Sequence, residues 1–158
     1  MKTIYLAGGC FWGMQKFIDS ADGVVCTEVG YANGRTLNPT YAQVKTGTTG
    51  FAETVRIVFD ERVLAVSALV HRFLRVINPF SVNKQGEDEG EQYRTGIYFE
   101  DEEDGKIARD EIALLERESG KKCAVEVCPL VNFFRAEEYH QKYLEKNPNG
   151  YCHIFTTF

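Results

Sequence analysis

No apolar run in the sequence approaches the roughly 20 residues that a membrane-spanning helix needs, so no membrane partner is expected. Positive charge is short. Eighteen Lys and Arg stand against 23 Asp and Glu, a net charge of −5, and this argues against nucleic acid, which asks for a basic patch or stripe. There is no CxxC. The cysteines are five, Cys10, Cys26, Cys123, Cys128 and Cys152, odd in number and irregular in spacing, and no two pairs of ligands have zinc spacing. Neither a disulfide framework nor a structural metal is therefore expected. The acidic run Gly86 to Gln92 lacks the ligand spacing of an EF-hand, which sets calcium aside. Repeats, low-complexity segments and Pro/Ser linkers are missing too. The opening MKTIYLAGGCFWG has one Lys and a short apolar stretch broken by Gly8 and Gly9, so it does not read as a signal peptide. A reduced, cytoplasmic setting is the expectation.

What is present is an ordinary globular balance: 158 residues, 44% hydrophobic and 26% charged. That length suits a single domain over residues 1–158 with a real core. Short strands are expected at Thr3–Ala7, Val24–Tyr31, Glu53–Phe59, Arg94–Phe99 and Cys123–Val131. Helices are expected at Phe11–Ser20, Pro39–Lys45, Leu64–Ile77, Asp101–Ser119 and Ala136–Lys146. Asn78 to Gln92 reads as a long polar loop, and 147–158 as a flexible tail. Strands and helices are mixed rather than strictly paired. The expected fold class is α+β, a mixed, mostly antiparallel sheet covered by helices.

The stretch GGCFWG raises the chemical question. A free thiol is only a few per cent thiolate at neutral pH, so a nucleophilic cysteine needs help. Cys10 stands where a strand ends and a helix begins, and the unpaired amides of a helix's first turn favour an anion there. Flanking glycines allow a sharp turn and a close approach. A buried structural thiol is the commoner case for an arbitrary cysteine, but these features together reverse the preference for Cys10. Phe11 and Trp12 are neighbours on a helix and point about 100° apart, so one of them is free to wall an apolar pocket beside the sulfur. Glu53 shares the parity of Val55, Ile57 and Phe59, which puts its carboxyl on the buried face at the strand's end. Burial keeps such a carboxyl protonated and makes it a candidate proton donor. The alternative is a strand that starts after Glu53 and leaves it solvated. Tyr93 has the same pattern before Ile97 and Phe99, and Tyr41 sits in its own polar segment.

These stretches, with GYANG (30–34), PTY (39–41), GTTGFAE (47–53), NKQGEDEGEQYRTGIY (83–98), AEEYHQKYL (136–144) and NPNGYCHI (147–154), resemble the A-type peptide methionine sulfoxide reductases, in the same order and over essentially the whole chain. Two positions depart from that pattern. Phe51 stands where the family often has His, and Asn78-Pro79-Phe80 where it usually has Asp-Pro-Thr. The Phe51 change is expected to alter the polarity of the pocket rim or the substrate preference.

The resemblance implies a ferredoxin-like core and thiol-dependent reduction of methionine S-sulfoxide, free or in proteins. Cys10 would attack the sulfoxide sulfur, Phe11 and Trp12 would hold the substrate's methyl group, and Glu53, helped by Tyr41 and Tyr93, would bind the oxygen and supply a proton. Asp88 would support that polar network. Cys10 would become a sulfenic acid and be resolved by Cys152, whose GYC segment is similar to the family's resolving segment. Thioredoxin would reopen the disulfide. No cofactor beyond an external dithiol is implied, and a monomer is expected. Cys26, Cys123 and Cys128 fall in expected strands and are assigned to the core, with Cys123 and Cys128 on opposite faces of one strand.

Two other readings compete. A papain-like hydrolase is suggested by an early Cys near Trp12 and by His140 and His153, though the CGSCW signature is missing and packing is the plain role for His140. A thiol redox sensor would use Cys10 and Cys152 but leaves Glu53 and the aromatic pair unexplained.

Overall fold

A computed structural model describes all of residues 1–158. Its centre is a six-stranded sheet. The strands are β1 (Lys2–Gly8), β2 (Val24–Ala32), β3 (Ala52–Phe59), β6 (Thr95–Phe99), β7 (Glu126–Pro129) and β8 (Phe133–Arg135), in the order β7-β6-β1-β3-β2-β8. Every pairing is antiparallel except β6 with β7. The inner four strands, β6-β1-β3-β2, have the ferredoxin-like order, with α1 (Phe11–Asp19) and α3 (Val66–Val76) as the crossovers. The expected α+β class with a mostly antiparallel sheet is what forms.

The helices follow from local rules. On α3, Val66, Leu69, Val70, Phe73 and Leu74 form the stripe buried against the sheet. Full burial of each such side chain contributes about 1.5–3 kcal/mol. Helix α4 (Glu102–Ser119) starts at Asp101, whose side chain accepts from the Glu103 amide, and stops at Gly120 in the left-handed region. Helix α2 (Tyr41–Lys45) is only five residues long but carries a full capping box between Thr40 and Gln43.

Three expectations are corrected. Ala136–Lys146 is not one helix. It is a 3₁₀ turn at Glu138–His140, then Lys142 at φ 54°, then the short α5 (Tyr143–Lys146). The break has a cause. The Gln141 side chain pairs with the backbone of β2, accepting from Val29 N (2.9 Å) and donating to Val29 O (2.9 Å) and Ala136 O (3.0 Å). A side chain that completes the sheet's backbone pairing cannot also follow a regular helix. Second, Cys26 is exposed rather than in the core. It follows a register break between Val24 and Cys26, on the part of β2 that β8 does not reach. Third, Cys123 precedes β7, and both it and Cys128 are only half-buried, so the opposite-face argument does not apply to them.

The Asn78–Gln92 segment contains a small hairpin, β4 (Lys84–Gln85) with β5 (Asp88–Glu89), followed by a 3₁₀ turn at Glu91–Tyr93. Gln85 anchors it by accepting from the Asn78 amide (2.9 Å) and donating to the Asn78 carbonyl (2.7 Å). The closing segment, expected to be a flexible tail, is packed along α1. Ile154 is buried, the Phe158 ring lies 5.3 Å from that of Phe17, and the Phe158 amide donates to Ser20 Oγ (2.8 Å).

Candidate active site

The singled-out residues meet at one end of the sheet, where β1 runs into α1. Gly9 adopts φ 89°, and a Cβ there would lie 2.7 Å from Gln85 Cβ, so glycine is required on both counts. Cys10 is the N-cap of α1 and is buried. The first-turn amides are divided between two groups. Phe11 N donates to Glu53 Oε1 (3.2 Å). The amides of Trp12 and Gly13 face the Cys10 sulfur and favour its anion. Burial outweighs them and, with the charge that Glu53 carries once ionised and that of Asp88 nearby, raises the thiol well above its ordinary range. Cys10 is therefore a thiol at rest, where the helix start alone suggested a thiolate.

Glu53 lies on the buried face at the start of β3, directly opposite Tyr31 of β2, and is 2% exposed. Burial pushes its carboxyl from 4.5 to about 8, partly offset by the Phe11 amide. It thus carries a proton at neutral pH. Around it stand the phenols of Tyr41, on α2, and Tyr93, in the 3₁₀ turn. Burial, with the charge Glu53 carries once ionised, holds both phenols protonated, Tyr41 being pushed up to about 12. Asp88, half-buried on β5, is raised by burial, opposed by the charge of His153, and its Oδ2 is buried without a hydrogen-bond partner.

Phe11 is fully buried, with its ring 5.8 Å from Tyr31 and 5.3 Å from His140. Trp12 is half-buried and stacked on Tyr143 at 3.8 Å and 10°, and its Nε1–H donates to His140 Nδ1 (3.0 Å). His140, which the sequence reading left to packing, and Tyr143, which it did not single out, are thus both beside Trp12 in the site. Their three-residue spacing was visible in the sequence. A cavity of about 540 Å³ begins at Trp12 and Tyr143 and runs between α1 and α5 to Cys26. A second, of about 630 Å³, is lined by Gly13, Phe17, Cys152, Ile154 and Phe155.

Cys152 lies at the first turn of α1. A Cβ at Gly13 would fall 3.1 Å from its sulfur, and its thiol donates to Ile154 O (2.9 Å). His153 Nε2 donates to Gly8 O (2.9 Å). Neither histidine bonds to Cys10, so the ion pair of a papain-like hydrolase is not formed. Phe51 is no rim residue. It is buried, meets Phe134 edge-on at 5.7 Å, and fills the space above the Cα of Gly34.

The family model described as "Peptide methionine sulfoxide reductase" matches residues 2–157. The chain is 53% identical over 154 residues to the peptide methionine sulfoxide reductase MsrA of Clostridium perfringens, covering 98% of each. Among solved structures it is similar to reduced Mxr1 of Saccharomyces cerevisiae, with a TM-score of 0.93, 36% identity, and 99% and 92% of the two chains covered. A further structure holds Mxr1 in complex with Trx2. There the TM-score is 0.68 and the identity 24%, with 99% and 90% covered, a likeness of fold.

Proposed function

The chain belongs to the peptide methionine sulfoxide reductase family and is an enzyme of the MsrA type, and from that premise we propose how its residues divide the work. The sulfoxide sits with its methyl group against Phe11 and Trp12 and its oxygen toward Glu53, Tyr41 and Tyr93. A sulfoxide is polarised, positive at sulfur and negative at oxygen. Cys10 attacks the sulfur, charge builds on the oxygen, and the protonated Glu53 supplies a proton to it; such catalysis contributes roughly 10²–10⁴-fold. The thiol's own proton balances the step. In sum, one thiol and one sulfoxide become one sulfenic acid on Cys10 and one methionine side chain. Asp88 supports the polar wall.

Cys152 then condenses with the sulfenic acid, releasing water and leaving a Cys10–Cys152 disulfide. A dithiol protein of the thioredoxin kind reopens it by exchange; the solved Mxr1–Trx2 complex supports that choice of partner. The substrate is the S-epimer, free or in oxidised proteins, and the role is repair.

The observation that carries this reading is Glu53, a buried carboxyl that holds its proton to about pH 8 and shares the first turn of α1 with Cys10. The test mixes fully reduced protein, without a recycling system, with a peptide carrying racemic methionine sulfoxide. Loss of the S-epimer alone, absent in Cys10→Ser, is expected, with about two thiols consumed per methionine. No methionine from a protein whose Cys10 still alkylates would refute the assignment.

A further inference from the structure

We propose that His153 is the general base of the resolving step, taking the Cys152 thiol proton through Nδ1 as Cys152 attacks the Cys10 sulfenic acid. This rests on the reading of Cys152 as the resolving cysteine.

The tautomer is fixed by geometry. The Gly8 carbonyl can only accept, so the 2.9 Å contact puts the ring proton on Nε2. Nδ1 is then a bare acceptor, and it is buried with no partner. An unsatisfied buried acceptor is costly and asks for a role. Its position supplies one. A Cβ at Gly13 would lie 3.2 Å from His153 Nδ1 and 3.1 Å from Cys152 Sγ. The base and the thiol thus share the space a methyl group would take, one helical turn from Cys10. Gly9 and Gly86 complete the seat, since a Cβ on either would also meet His153. Gly9 and Gly13 of GGCFWG therefore do more than shape the turn; their bare Cα atoms make room for the imidazole and, at Gly13, the second thiol.

The titratable groups near the ring are Asp88 on β5, whose charge acts on it, and Cys152 in its own segment, beside it over Gly13. Burial lowers the imidazole below its usual 6.5, against the opposing pull of the Gly8 contact and the Asp88 charge, so the ring is neutral and able to accept a proton at pH 7. The Cys152 thiol meanwhile donates to Ile154 O.

The step balances. The S–H bond of Cys152 breaks and its proton goes to Nδ1. The thiolate forms the S–S bond to Cys10 while the S–O bond of the sulfenic acid breaks. The departing hydroxide takes the proton back from Nδ1 and leaves as water. Cys152 is oxidised and Cys10 reduced by the same amount, and no further reagent enters.

The test uses His153→Gln, whose amide N–H can still donate to Gly8 O but has no base. Rapid mixing with a methionine sulfoxide peptide at pH 5–8 follows methionine release, dimedone-trapped sulfenic acid and Cys10–Cys152 disulfide. Methionine release, in which His153 takes no part, serves as the internal control. Disulfide formation is expected to slow by about 10²-fold or more, with sulfenic acid accumulating. In the unaltered protein, resolution should fall as pH drops through a midpoint below 6.5, and this dependence should vanish in the variant. Equal disulfide rates and pH profiles in the two proteins would overturn the base role alone. Failure of the unaltered protein to form any Cys10–Cys152 disulfide would overturn the role of Cys152, and the proposal with it.

Discussion

Replacing Glu53 by Gln separates the acid's chemical contribution from its cost to the fold. The two side chains have nearly the same shape, and the Gln carbonyl can still accept from Phe11 N. Glu53 titrates at about 8 in the folded chain against an ordinary 4.5. The folded state therefore holds a proton that the unfolded chain has already released between those values. Its contribution to stability is present in full below about pH 4.5 and is lost as pH rises to about 8, a change of about 5 kcal/mol when complete and about 3 kcal/mol by pH 7. Gln does not titrate. The variant should match the parent in urea unfolding at pH 4.5, exceed it by about 3 kcal/mol at pH 7, and gain most at pH 9. Its single-turnover methionine formation should drop by about 10²–10⁴-fold, while Cys10 still alkylates. The parent's sulfoxide step should slow as pH rises through about 8, and the variant's should not. A stability difference that stays flat from pH 4.5 to 9 would refute the buried protonated carboxyl. An unchanged single-turnover rate would remove Glu53 as the acid.

Other outcomes follow from single contacts. Cys152→Ser should yield one methionine per chain and then stop under a thioredoxin-type reductant, and sustained turnover would remove Cys152 from the relay. Trp12 is the only tryptophan, so its emission reports the bond to His140 Nδ1. Burial holds His140 below 6.5, so acidification should change the emission with a midpoint below that value. His140→Gln, which accepts but does not titrate, should abolish the change; an identical titration there would assign it elsewhere. Gly34→Ala would drive a methyl into the Phe51 ring and should cost about 1–3 kcal/mol in denaturant unfolding. An unshifted midpoint would show that the ring yields freely.

Much of the fold was legible because its signals are local. The α3 stripe at helical spacing, the alternation from Glu53 to Phe59 and the start of α1 after Gly9 each need only a few neighbouring residues to be recognised. Parity alone carried Glu53 to the buried face. The misreadings share the opposite property. The Ala136–Lys146 helix fails because Gln141 finds Val29, 112 residues away. Cys26 is exposed because of which strand stops beside it, and Phe51 is buried because Gly34 lacks a side chain. Periodicity does not encode what a side chain meets across the molecule.

The same distinction bears on Cys10. Its segment supplies a helix start, and read alone that suggests a thiolate. Burial and two nearby carboxyls reverse the balance, so the free site stores protons on Cys10 and Glu53. A resting thiol suits a nucleophile that must survive until its substrate arrives. The anion becomes favourable when a polarised sulfoxide sulfur stands before it and the oxygen takes the Glu53 proton, so activation is coupled to the substrate rather than built into the free enzyme. Cys152 stands in a comparable setting, its thiol donating to Ile154 O beside an imidazole with an unused acceptor. On this account, each sulfur loses its proton only when its electrophile is in place. Oxidants without a sulfoxide's geometry should therefore react slowly with the reduced protein, and a peroxide that oxidised Cys10 as fast as a methionine sulfoxide peptide would contradict the coupling.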